Sequence, residues 1–404
     1  MTSFFSWLDY SEQQKRQMLD VIDQFREQDT RDEIGIGSLR DAIADLLFPG
    51  TSTIQTRARY YLFVPWMYLH LEKKGVQSTD IASEARKEEI ILIDALAESD
   101  NSDGTIGIQA RKSLQRLPSN IYWMGLGRWG IRLFRGSQPQ YHRSLNAFYA
   151  ARRGTPEQDD DKEPVDGRVL SNWHPKIPEQ PDGFPRKASF NLTKGEAGYV
   201  QERVMIRVPG TLLAFLMDRG WLTDRGEFPW EHPRYGDFPA HIREQLQHGR
   251  NFSEVIYGAV LLYNLMLAEK SKSGDFIEEY NGVLETWASE IENRLGMLTQ
   301  WNRQRFWEIS ISSGARITPS TRLFVNTWLD LALLPGAAKA VAANRRARDL
   351  IRARERFLKR GQARLENPRA LELWSGAAGT ARLDYRWGIA QTIISDILRG
   401  LSNA

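Results

Sequence analysis

The residues best suited to chemistry lie in one segment. Lys339 to Arg369 carries eleven basic residues against Asp349, Glu355 and Glu366, a local charge of +8. The whole chain sums to +3, so the remainder sums to −5. Arg345, Arg348, Arg352, Arg356 and Lys359 recur at spacings of three or four, the period of one helix face. Ala347, Leu350, Ile351, Phe357 and Leu358 fall on another side. Such a ridge would carry about five charges over roughly 21 Å of helix. Duplex DNA carries one charge per about 1.7 Å of axis, so phosphate contact is the chemistry this spacing fits. An acidic partner protein or a solvated face are the alternatives.

Two further sets join arginine to polar or aromatic residues. Arg57 and Arg59 follow Thr51, Ser52, Thr53, Gln55 and Thr56, after a Pro49-Gly50 turn. With the preceding Ser38–Leu47 segment this gives a helix-turn-helix-like outline. Arg128 and Arg132 lie among Tyr122, Trp123 and Trp129. Stacking of bases on such rings beside arginine is single-strand binding chemistry, while a core role for the tryptophans is the competing reading.

Catalytic motifs do not emerge. Gly125, Gly127 and Gly130 match G-x-G-x-x-G, but no strand precedes them and positions 147–156 hold no acid at the ribose-binding spacing. There is no Gly-Lys-Ser or Gly-Lys-Thr, hence no P-loop. No G-x-S-x-G and no H-E-x-x-H occur. His174-Pro-Lys176 with Asp182 misses the H-x-K-x₄-D spacing by one residue and sits in a Pro-rich loop. No cofactor or metal is expected. An enzyme reading, such as a Mg²⁺-dependent nuclease, rests on no positive motif.

Composition narrows the class. The chain has 404 residues, 41% hydrophobic and 26% charged, which suits folded domains. It has no cysteine, which removes disulfides, thiolate zinc sites and a cysteine nucleophile. Arginine outnumbers lysine 41 to 13. The fork of arginine suits phosphate, although GC-rich coding produces the same bias. The N-terminus lacks a signal-peptide pattern, and the best apolar run, Gly258–Ala268, is too short for a membrane span. A cytoplasmic chain with no membrane contact is expected.

The elements that must position these residues read as helices. The fold expected is mainly α and multi-helical, with a Pro-rich central loop and at most a few short strands. Ser11–Phe25 reads as a helix opened by a capping box. Helices are predicted over Thr53–Leu71, kinked or split at Pro65, and over Glu84–Ala97, Arg111–Leu117, Ile121–Arg135 and Tyr141–Arg152. Thr193 with Glu196 opens another, and Thr318-Pro319 starts a third. Arg203–Val208 and Gly167–Leu170 are the best strand candidates. Six prolines and Asp159–Asp161 mark 154–188 as a long loop or linker. The domains expected are therefore 1–153, a linker at 154–190, and 191–404 with a basic helix over 338–363.

The stretches SWLDYSE (6–12), FREQDTRDEIGIGSLRDAIADLLFPGTSTIQTRARYYLFVPW (25–66), IYWMGLGRWGI (121–131) and GTARLDYRW (379–387) resemble an uncharacterised bacterial family of about this length. The resemblance spans the chain. It implies genes beside helicases and phospholipase-D-like proteins in phage-defence or DNA-modification islands. It supplies no catalytic residues. The expected function is a nucleic-acid-binding component of such a system, DNA before RNA, with a helicase or nuclease as protein partner. An adaptor docking an acidic protein through the basic helix is the alternative.

Overall fold

The computed structural model describes residues 32–154, 171–221 and 226–403. The expected helix Ser11–Phe25, the acidic run and the strand candidate Gly167–Leu170 lie outside the described residues. The protein is mainly α-helical, 64% helix, with no sheet among the described residues. The helices are α1 (Gly37–Leu47), α2 (Tyr60–Lys73), α3 (Ile81–Ala97), α4 (Pro118–Arg128), α5 (Gln138–Gly154), α6 (Lys194–Arg207) and α7 (Leu212–Arg219). They continue as α8 (Ala240–Ser271), α9 (Gly274–Thr299), α10 (Arg303–Ser312), α11 (Pro319–Ala332), α12 (Arg345–Lys359), α13 (Pro368–Glu372) and α14 (Trp387–Ser402). An isolated antiparallel bridge joins Arg132 and Trp173.

Local signals explain most boundaries. Thr193 accepts the Glu196 N–H while the Glu196 carboxylate accepts the Thr193 N–H, the reciprocal cap read from sequence. Thr318 accepts from the Thr321 N–H, with Pro319 at the first helical position. Asn344 accepts from the Ala347 N–H and starts α12 later than the predicted residue 338.

Several expectations are corrected. Arg203–Val208 is not a strand: Val204 and Ile206 lie in the last turns of α6 and Val208 is its C-cap. Arg111–Leu117 forms only a 3-10 turn over Arg111–Ser113. Residues 53–59 are loop and turn, and α2 begins at Tyr60 and runs through Pro65 without splitting. Nearly all of α2 is buried, so burial on every side offsets the bond that Pro65 cannot donate.

Two compact units form. One holds the described residues up to 38 with 255–300 and 317–381; the other holds 39–254, 301–316 and 382–403 as far as they are described. The division does not follow the Pro-rich segment. In the second unit that segment is anchored by side chains: the Trp66 indole donates to the Pro178 carbonyl at 2.6 Å, and Phe184 stacks on Phe63. Trp173 and Phe190 are core residues. Helices α6 and α14 pack closely there, because a Cβ on Gly400 would meet Ala197 and Leu192. In the first unit, Gly258 of α8 leaves room for the Trp287 ring of α9, and the Trp328 indole of α11 donates to the Val255 carbonyl.

The apolar part of α8 is long enough to cross a bilayer by composition, but 89% of that window is buried inside the protein. This is a core helix.

Candidate functional site

The basic segment folds into α12 of the first unit, as its periodicity predicts, but the face it presents differs from the predicted ridge. Ala347, Ile351, Arg354 and Glu355 are buried. The outward side is therefore centred on Arg345, Arg346, Asp349, Arg352 and Arg356, with Arg360 just past the last turn. Arg345 and Arg356 have side chains 96% and 64% exposed. Arg348 and Lys359 turn inward, at 24% and 19%, and pair with Glu269 and Glu33. Arg364 also meets Glu33, at 2.9 Å.

The exposed cations are loosely engaged. Arg352 bonds Asp349 at 3.0 Å, Arg345 approaches it at 3.8 Å, and Arg356 reaches Glu366 at 3.4 Å. Exposed pairs of this kind contribute about 0–1 kcal/mol and exchange readily for another anion. Among the described residues Arg346 and Arg360 have no ion pair. Five arginines thus face outward over about 22 Å, with Asp349 among them and Glu366 beside Arg356.

Two internal groups hold this helix in place. The Arg354 guanidinium is buried and donates to the carbonyls of Ile34 and Gly35 and to the Thr321 hydroxyl, at 2.8–2.9 Å. Burial, the main influence, pulls its pKa below the usual arginine value. Glu355 is fully buried and accepts the Tyr263 hydroxyl and the backbone N–H groups of Arg364 and Leu365. These last two bonds fold the chain back after Arg360. Phe357 and Leu358, expected on the packed side, are instead exposed, Phe357 to 64%.

The other candidates are internal to the second unit. Arg57 is buried and donates from Nε and Nη2 to Asp396 at 2.9 Å. Arg59 is buried against Glu196 at 2.7 Å. They precede α2 in a loop rather than opening a recognition helix, so the helix-turn-helix outline does not form. Arg132 is also buried: it lies over the Trp123 ring at 4.6 Å and donates to the Trp123, Phe134 and Gly136 carbonyls. Burial lowers its pKa to about 10. Arg128 is exposed at the end of α4, while Trp123 and Trp129 are core. Apart from Arg128, the arginines and tryptophans of this set build the interior.

The glycine motif has a packing role. A Cβ on Gly125 would strike the Gly50 carbonyl, and one on Gly127 would strike Arg132. Gly130 has φ +65°.

A buried polar network sits nearby. Glu72 accepts from the Tyr141 hydroxyl at 2.5 Å and from the Asn172 amide and Trp173 indole at 3.0 Å. Glu89 accepts the Ser119 N–H at 2.6 Å and its hydroxyl at 3.1 Å. Burial pushes Glu89 up to about 7 and raises Glu72. These groups are bonded within the core and mark no open cleft. Among the described residues no cluster of three or more His, Asp or Glu is placed to hold a metal.

Sequence spacing located the helix but missed Arg346, Arg360 and Phe357 as surface groups. The signal available was the phase of Ala347 and Ile351, which places the buried side; Arg354 and Glu355 obscured it because they look like surface residues.

Fold and site together define a mainly α-helical protein with an arginine-bearing outer helix. The chain belongs to a family of unknown function (DUF6361), whose sequence profile matches residues 2–400. No curated protein and no solved structure matches it significantly.

Proposed function

We propose that the protein is a nucleic-acid-binding component that contacts phosphates through the outward face of α12. The observation that carries this reading is the exposed set Arg345, Arg346, Arg352, Arg356 and Arg360, against two acids, Asp349 and Glu366. Arginine forks match phosphate oxygens and exchange out of weak surface pairs at little cost. Phosphate contact carries no sequence code, so binding is largely sequence-independent. DNA stands before RNA because of the defence and DNA-modification setting that the family resemblance implies. That setting also makes a helicase or nuclease the expected protein partner.

The test is fluorescence anisotropy of labelled DNA and RNA over a salt series, with R346E/R352E/R356E alongside. The expected result is affinity falling linearly in log salt. In the variant the slope should be shallower, by about one for each phosphate it no longer neutralises. Absence of binding at low salt defeats the reading, and co-purification with an acidic protein would then favour the adaptor.

A further inference from the structure

We infer that the C-terminal end of α12 is a stacking site for an unpaired base, so that the ligand of this face is single-stranded nucleic acid. The inference rests on the proposed phosphate contact and narrows its ligand.

Phe357 is the observation that sets it apart. It is a large ring, mostly exposed, on the most charged of the described helices. Its inner side meets a cation. The Arg354 guanidinium lies over the ring, 6.0 Å from its centroid, and Arg354 is itself fixed by the bonds described above. The ring is therefore backed by a fixed cation and open on its outer side.

Further arginines share its side of the helix or flank it in the chain. On a helical wheel Phe357 lies eleven residues, about three turns, beyond Arg346, and so on the same side. Arg356 adjoins it, and Arg360 follows three residues later. Arg360 has φ +49°, a region that non-glycine residues rarely adopt. The strap that follows it holds it there, through the N–H bonds of Arg364 and Leu365 to Glu355. A residue at this turn would ordinarily be glycine, and Gly361 is the next in the chain. The strained position instead carries an exposed arginine, three residues along the chain from an exposed ring.

A ring flanked by arginines distinguishes two forms of nucleic acid. Duplex bases are stacked on each other, so a duplex offers this surface only phosphates. A single strand can place a base on the ring while its phosphates reach Arg356 and Arg360. Stacking of this kind tolerates any base, because every base has a π-face.

The experiment measures affinity for a labelled oligothymidine and for a duplex of equal length. The proteins are the wild type, Phe357→Ala, Phe357→Trp and R346E/R352E/R356E, each checked for fold by circular dichroism. Wild type should prefer the single strand. Phe357→Ala should weaken single-strand binding about tenfold, within the range for removal of one stacked base, and leave duplex affinity within about twofold. Phe357→Trp should keep the preference and show quenched tryptophan fluorescence on binding. Equal effects of Phe357→Ala on both ligands, no effect on either, or equal wild-type affinities overturn the stacking site. If the triple variant loses salt-dependent binding while Phe357→Ala is silent, phosphate contact stands and stacking falls. If the wild type binds neither ligand, both fall.

Discussion

The Tyr263 hydroxyl of α8 donates to the buried Glu355 carboxylate of α12 at 2.6 Å. The same carboxylate takes the N–H groups of Arg364 and Leu365, at 2.8 and 3.0 Å. One side chain therefore fixes where α12 sits on α8 and where the chain turns back after it. Lys359, paired with Glu33, adds a bond to the Tyr263 hydroxyl at 3.4 Å. The orientation of the arginine face depends on this arrangement.

Removing its centre should be costly. Glu355→Ala strands three donors in a buried setting, each worth about 1–3 kcal/mol, so destabilisation by at least about 3 kcal/mol is expected. Tyr263→Phe should cost about 1–2 kcal/mol. Urea denaturation of wild type and both variants checks the order; equal midpoints would show that the carboxylate is not an anchor.

Arginines two residues apart on α12 should behave oppositely. Arg354→Ala leaves the Ile34 and Gly35 carbonyls without their guanidinium donor and opens space under Phe324, so destabilisation by about 2–4 kcal/mol is expected. Arg352→Ala removes an exposed pair and should change stability by about 0.5 kcal/mol or less. Thermal melts of both variants decide it, and DNA affinity should fall for the second while its fold is retained.

Arg57 should test as a structural residue. Arg57→Ala leaves Asp396 buried and uncompensated, which costs about 3–5 kcal/mol. A stable Arg57→Ala protein with selectively weakened DNA binding would return Arg57 to the interface.

Glu89 should give the fold a pH dependence near neutrality. Its folded pKa, about 7, lies above the ordinary carboxyl value. Below about pH 4 both folded and unfolded forms are protonated and its full contribution is present. As pH rises toward about 7 the unfolded chain ionises first, so stability falls, by up to about 3 kcal/mol. Glu89→Gln should flatten this part of the stability curve. Parallel curves for wild type and variant between about pH 4.5 and 8 would refute the assignment.

Much of the architecture was legible in the sequence because its determinants are local. The Thr193–Glu196 cap, the Thr318-Pro319 start and the helical period of α12 act over a few residues, and each appears in the fold, α12 over a shorter span than 338–363. The mainly α class follows from the same signals. What failed locally was overridden from a distance. RVMIRV has strand-forming residues, yet it finishes α6, the helix against which α14 packs at Gly400.

The surface was decided by tertiary structure. Arg57, Arg59, Arg132 and Arg354 look like surface cations in sequence and are buried in the fold. Burial is possible because each meets an acid or a set of carbonyls that packing brings to it, such as Asp396 for Arg57 and Ile34 for Arg354. Arg348 and Lys359 turn inward for the same reason, toward Glu269 and Glu33. Spacing along a helix states which residues share a face. Only packing states which face meets water, since desolvating a charge depends on the partners waiting for it. The sequence by itself determined a helical protein with one strongly basic helix. The structure decided that Arg345, Arg346, Arg352, Arg356, Arg360 and Phe357 are what that helix offers.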